Sequence, residues 1–160
     1  MSNTISYIGI NNRGLDASLE AGVDHGGSPI EPFIDDNGGW PLRCCLADSK
    51  PGDEIAIIAW SPFPWNGPYR EVGPIVVHTT GCPGRTDTSA LPADLDAAPM
   101  VLRPYNHDRR IAYPSVRHVE AGGSLTEEIA AMLADDTIDF VHARNVTGGC
   151  YSFTARRAAP

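Results

Sequence analysis

The chain has 160 residues, with 12 basic against 20 acidic side chains and a net charge of −8. That length suits one domain (residues 1–160), at most with a loose arm, and it buries a core without metal or disulfide staples. An acidic chain with no basic run is not expected to partner nucleic acid or an anionic membrane. No stretch reaches the roughly 20 apolar residues of a membrane span.

Met1 to Tyr7 has neither a basic n-region nor an apolar h-region, so no signal peptide is expected and the cytoplasm is the expected location. There, four cysteines read as thiols rather than as a disulfide framework. Cys44 and Cys45 are sequence neighbours, and a bridge between them would be strained. Sixteen glycines and 14 prolines favour short strands and many loops over a helical bundle.

Residues 4–10 read as a first strand. Residues 11–39 read as a loop-rich N-terminal arm, with His25 as a surface loop residue. Residues 54–60 are a near-continuous apolar run, expected to be a buried strand. Residues 61–69 hold Pro62, Pro64 and Pro68 and form an aromatic, proline-stiffened loop. Residues 73–79 are a second strong strand, and 81–99 a long loop. Residues 100–105 and 109–119 read as extended, joined by a hairpin turn at Asn106, His107 and Asp108. Pro104 and Pro114 suggest edge positions or bulges. The one clear helix spans 125–134: Ser124 caps it with Glu127 three residues on, and Leu125, Ile129, Met132 and Leu133 make one apolar stripe. Two strands follow, 138–145 and 150–155, around a tight turn. The fold class is α+β with a mainly antiparallel sheet, closure into a barrel being an open alternative, and one principal helix near the C-terminus.

A set of short motifs runs through this frame. They are Pro41-x-Arg43-x-Cys45-Leu46, Pro68-Tyr69, Gly73-Pro74-Ile75-x-Val77-His78-x-x-x-Cys82, Arg103-x-Tyr105, His142-x-Arg144-Asn145 and Gly149-Cys150-Tyr151. In order and spacing they resemble the small bacterial domain-of-unknown-function family numbered twelve-oh-three, over residues 41–156. The chain departs from that pattern at Leu42, where a cysteine is expected. The resemblance implies no chemistry, which has to come from the residues.

Three constellations are candidates. In the 140–153 hairpin, His142 and Cys150 suggest a thiol–imidazole pair, but strand parity separates them. If Asn145 pairs with Cys150, then His142 and Arg144 share a face with Tyr151 and Phe153, and only an odd loop or bulge at the glycines would reunite the pair. His142 with Arg144 on one face is a recess for an anion or carboxylate, and Arg103 with Tyr105 repeats that spacing. Second, His78 at a strand end, with Cys82 or Cys45, makes a thiol–imidazole dyad. Third, His78 and Cys82 with Cys45 and Cys150 would complete a Cys3His zinc site, although no Cys-x2-Cys knuckle is present. Trp40, Trp60, Trp65 and Phe63 read as core and loop anchors. No phosphate loop, dinucleotide fingerprint, nucleophile elbow or His-Glu-x-x-His motif is present.

The function expected from these residues is that of a small cytosolic enzyme acting on a small polar or carboxylate-bearing metabolite without an organic cofactor. His142 or His78 would be the acid/base and Cys82 or Cys45 the nucleophile. Arg144, Asn145, Arg103, Tyr105, Arg43 and Tyr151 would hold substrate. The alternative is a non-catalytic small-molecule-binding or protein-interaction domain, with the zinc site a further minor possibility.

Overall fold

In a computed structural model, which describes residues 4–159, the chain forms two compact units. One comprises Met1–Ile8 with Asp87–Pro160, the other Gly9–Thr86. Both follow the expected class: α+β, with antiparallel sheets of five and three strands that stay open rather than closing into a barrel. Among the described residues no helix is long and apolar enough to cross a membrane.

The first unit is built on β1 (Ile5–Ile8), β5 (Met100–Asn106), β6 (Arg117–Val119), β7 (Ile138–Asn145) and β8 (Tyr151–Arg157), in spatial order β1-β8-β7-β5-β6. The backbone N–H of Tyr7 donates to the Thr88 carbonyl at 2.7 Å, tying the two chain segments together inside this unit. Helix α3 (Leu125–Leu133) packs on β7, β5 and β8. It starts where the Ser124 hydroxyl accepts the Glu127 N–H, and it buries Leu125, Ile129, Met132 and Leu133. The capping pattern and the apolar stripe therefore do what their spacing implies. Asp96, in the short helix α2 (Ala93–Asp96), accepts from the Thr126 N–H, the Thr126 hydroxyl and the Ser124 hydroxyl, fixing the same helix start. Arg157 closes the other end by donating to the Leu133 and Ile138 carbonyls.

The turn at Asn106 forms, with the Arg109 N–H on the Asn106 carbonyl and Arg109 at φ +63°. Of the extended segment expected at 109–119, only Arg117–Val119 is a strand; Pro114 sits in a 3-10 turn (Tyr113–Ser115). Pro104 lies in β5, beyond the stretch that pairs with β6, where a missing N–H costs no ladder bond on that side.

The second unit holds helix α1 (Asn12–Ala21) and the sheet β2-β3-β4, with β2 (Phe33–Ile34), β3 (Glu54–Trp60) and β4 (Gly73–His78). Helix α1 corrects the loop-rich reading of 11–39. It carries Gly14, Asp16 and Ser18, which are poor helix formers, and only Leu15 and Ser18 are buried, so the apolar signal is thin. Its ends are well made. The Asn11 side chain accepts from the Arg13 and Gly14 N–H groups, and Gly22 at φ +71° closes the last turn in the left-handed conformation. His25, read as a surface loop residue, is exposed but not idle. Its ring stacks on Trp60 at 4.0 Å and its Nδ1 accepts the Ser61 N–H at 3.0 Å. Trp60 and Phe63 are core anchors, each 4 % exposed.

Candidate metal centre and a buried histidine

In the first unit, β7 brings Phe140, His142 and Arg144 to one sheet face. Antiparallel pairing sets Arg103 opposite His142 and Tyr105 opposite Phe140 on β5. On β8, Tyr151 stands opposite Arg144 and Thr154 opposite His142. The register shifts between these two β8 pairs because Ser152 is an extra residue, a bulge three positions beyond Gly149 rather than at the glycines. Parity thus keeps His142 and Cys150 apart, as expected near the turn: the Asn145 N–H donates to the Cys150 carbonyl at 2.9 Å, and the Cys150 thiol lies on its own turn, 3.7 Å from the Gly148 carbonyl. Phe153, expected beside His142, is moved by the bulge to the opposite face. There it pairs with Ala143 and meets Tyr7 edge-on at 6.3 Å. Tyr7, hydrogen-bonded to Thr126 of α3, shares that face.

His142 is 1 % exposed. Its ring lies 5.0 Å from each of Tyr105, Phe140 and Tyr151, and Tyr105 stacks on Phe140 at 4.7 Å. Burial, then the cations of Arg144, Arg103 and Arg156, push its pKa well below the ordinary histidine value. Such an imidazole is neutral at working pH and shielded from solvent. Arg144 is buried too and donates to the Gly149 carbonyl at 3.2 Å, and the Tyr151 hydroxyl meets Thr154 at 2.7 Å. The Asn145 side chain accepts the Thr147 N–H, a turn role. Five of the expected residues (His142, Arg144, Arg103, Tyr105 and Tyr151) therefore meet on one face, with a polar and aromatic interior.

The second unit gathers the other set. Residues 42–47 form a tight turn laid along β4. The Arg43 N–H donates to the Val76 carbonyl at 2.9 Å, Leu42 makes a parallel bridge to Val76, and the Leu42 N–H closes the loop on the Ala47 carbonyl at 2.9 Å. Leu46 takes φ +59°, a conformation costly for a side chain of its kind. Leu42 and Leu46, 0 % and 6 % exposed, anchor the turn and leave Cys44 and Cys45 beside His78. Arg43 is buried here, in the unit that does not hold Arg144.

His78 ends β4. Its Nδ1 lies 3.7 Å from Cys44 Sγ and 4.0 Å from Cys45 Sγ, and Cys82 joins them: all four ligand atoms lie within 4.8 Å of one another. A zinc ion at the usual Zn–S and Zn–N lengths has tetrahedral edges of about 3.6–3.8 Å, so the cluster is nearly the right size. The zinc set expected from the sequence is thereby corrected in one member. Cys44, not Cys150, is the third thiol, because the turn projects both adjacent cysteines toward His78.

Three backbone N–H groups point at the sulfurs: His78 to Cys44 at 3.4 Å, Ala47 to Cys45, and Gly84 to Cys82. Donors of this kind favour the thiolate. The far nitrogen of His78, Nε2, meets Asp53 Oδ2 at 3.1 Å, and the Asp53 carboxylate also accepts the Lys50 N–H at 2.8 Å. A carboxylate behind a histidine whose other nitrogen faces thiols is the outer arrangement of metal-bound histidines. Within the cluster, the Cys44 thiol donates to Cys45, which raises Cys44 and holds Cys45 down at about 5; burial raises Cys82.

Asp53, which sequence reading placed only in a turn, is a neighbour of the cluster that no local pattern marked. Its approach to His78 follows from the β3–β4 register, in which Ile55 stands opposite His78.

A family model described as "Protein of unknown function (DUF1203)" matches residues 39–157. No curated protein and no solved structure matches the chain.

Proposed function

The chain belongs to the DUF1203 family, whose description assigns no chemistry, and we propose from its own geometry that it is a metal-binding protein. Cys44, Cys45, His78 and Cys82 hold a thiophilic divalent cation, and zinc suits three sulfurs and one imidazole best. One observation carries this reading: four ligand atoms from two separate segments, 44–45 and 78–82, converge within 4.8 Å, with Asp53 on the far nitrogen of the histidine. Four free thiols suit a reducing compartment such as the cytoplasm. The test is metal analysis of the full chain purified without added metal and then reconstituted. About one zinc per chain is expected, lost in Cys82→Ser and His78→Ala. A wild-type chain that takes up no zinc on reconstitution ends the proposal.

A second reading has an observation of its own. Without metal, Cys45, His78 and Asp53 stand in the order of a cysteine–histidine–carboxylate relay. This is the Cys45–His78 dyad expected from the sequence, serving a small enzyme on a small polar metabolite without an organic cofactor. Iodoacetamide labelling separates the two readings. Zinc that shields Cys45 from alkylation favours the metal centre, and equal labelling with and without zinc favours the relay. Acid/base work by His142 has less support, since that histidine is 1 % exposed and enclosed by three aromatic rings. The arginines beside it suit a binding role as well as a catalytic one.

A further inference from the structure

The three thiols of the cluster are not equivalent. Cys44 is enclosed, 2 % exposed, and its sulfur accepts the His78 backbone N–H at 3.4 Å. Cys45 and Cys82 are only half-buried. These two also sit on different kinds of chain. Cys45 belongs to the closed 42–47 turn, whereas Cys82 follows the end of β4, in a segment that forms neither helix nor strand before α2. Cys82 and His78 line a cavity of about 100 Å³ that opens to molecules of water size. Hydrogen peroxide is little larger than water, so it reaches Cys82 by this route.

The sulfurs are close enough to join. All lie within 4.8 Å of one another, and the Cys82 thiol is hydrogen-bonded to both Cys44 and Cys45. A disulfide holds its sulfurs about 2.0 Å apart, so a pair has to approach by less than about 3 Å. Of the three pairings, Cys44 with Cys45 is strained because the two are sequence neighbours. Cys44 with Cys82 would draw the enclosed sulfur away from the His78 N–H. Cys45 with Cys82 joins the two half-buried thiols and leaves that bond in place.

We propose, resting on the metal-centre reading, that Cys45 and Cys82 are a redox-active pair whose oxidation by a small hydroperoxide releases the metal. The Cys82 sulfur attacks one peroxide oxygen. The O–O bond breaks, hydroxide leaves and takes a proton to become water, and Cys82 becomes a sulfenic acid. The Cys45 sulfur then attacks the Cys82 sulfur. The S–S bond forms, the S–O bond breaks, and a second hydroxide leaves and is protonated to water. Two thiolates have lost two electrons and one peroxide has gained them. Cys44 and His78 remain, two ligands where a closed zinc site needs four, and the cation departs. Reduction of the disulfide restores the full set.

The test treats the zinc-loaded full chain with hydrogen peroxide in the presence of a chromophoric zinc chelator. The expected result is loss of the bound zinc, a chain mass lower by two hydrogens, and a disulfide between Cys45 and Cys82 in non-reducing peptide mapping. Zinc uptake should return after reduction with a phosphine. Fragmentation of the cross-linked peptide between Cys44 and Cys45 identifies the partner. Metal-free Cys44→Ser is expected to form the same disulfide, and the wild-type fragmentation decides alone if that variant does not fold. Cys150→Ser is expected to lose zinc at the wild-type rate. Zinc retained at a peroxide dose that oxidises free cysteine in the same solution overturns the inference and leaves the metal centre standing. So does zinc released without a disulfide, or with Cys82 joined to Cys44 or to Cys150. A wild-type chain that takes up no zinc on reconstitution overturns the parent reading instead.

Discussion

Asp53→Asn isolates the contribution of the carboxylate behind His78. With Nδ1 turned to the thiols, a metal-bound His78 carries its proton on Nε2 and donates it to Asp53 Oδ2 at 3.1 Å. The substitution keeps an oxygen that can accept this proton and the Lys50 N–H, so the turn survives, but it removes the charge that makes the imidazole a stronger donor to the metal. Losing such a partner typically costs 10–100-fold in metal affinity. The Asp53 side chain is 29 % exposed and that of His78 16 %, so solvent screens the pair. The contact is also of ordinary rather than short length. Both features put the expected loss near the lower bound, about tenfold. Competition for zinc with a chromophoric chelator at neutral pH measures it, with circular dichroism to verify the fold. An Asp53→Asn affinity equal to wild type would mean that His78 does not ligate through Nδ1, and the centre as assigned would fall.

Two further expectations concern the frame. Phe153→Ala removes a ring that is 0 % exposed and should cost about 3–5 kcal/mol in urea unfolding; a loss under about 1 kcal/mol would show that the bulge does not turn Phe153 into the core. Asp24 has its pKa lowered, chiefly by the Ala59 N–H and also by the Ser28 and Gly26 N–H groups. Its contribution to stability is therefore complete above the ordinary aspartate pKa and disappears as pH falls through the lower folded value. Asp24→Asn should flatten the acid limb of the stability–pH curve, and an unchanged limb in a urea series below pH 5 would refute the assignment.

Much of this was legible in the residues. The runs at 54–60 and 73–79 became β3 and β4, Ser124 and Glu127 marked the start of α3, and counting alternate positions along β7 and β8 separated His142 from Cys150. Three features were not legible, each for a physical reason. Helix α1 is held by its caps and by two buried side chains, so its apolar period is too faint to register against Gly14, Asp16 and Ser18. Cys44 and Cys45 lie in the 42–47 turn, closed by the Leu42 N–H on the Ala47 carbonyl, which no local pattern announces and which sets both thiols beside His78. The bulge at Ser152 sits inside a run that alternates without a break, and no glycine or proline announces it.

The pairing of β1 with β8 has a consequence for the order of assembly. Ile5 stands opposite Arg157, and the Ala158 N–H donates to the Thr4 carbonyl at 2.7 Å. On the ribosome, the first strand therefore waits unpaired until β8 has emerged. The unit from Gly9 to Thr86 is contiguous, and each of its contacts is available far earlier. Vectorial synthesis then lets the unit that carries Cys44, Cys45, His78 and Cys82 fold while the five-stranded sheet still lacks its edge. The four cluster side chains can thus be brought together before the first unit is closed.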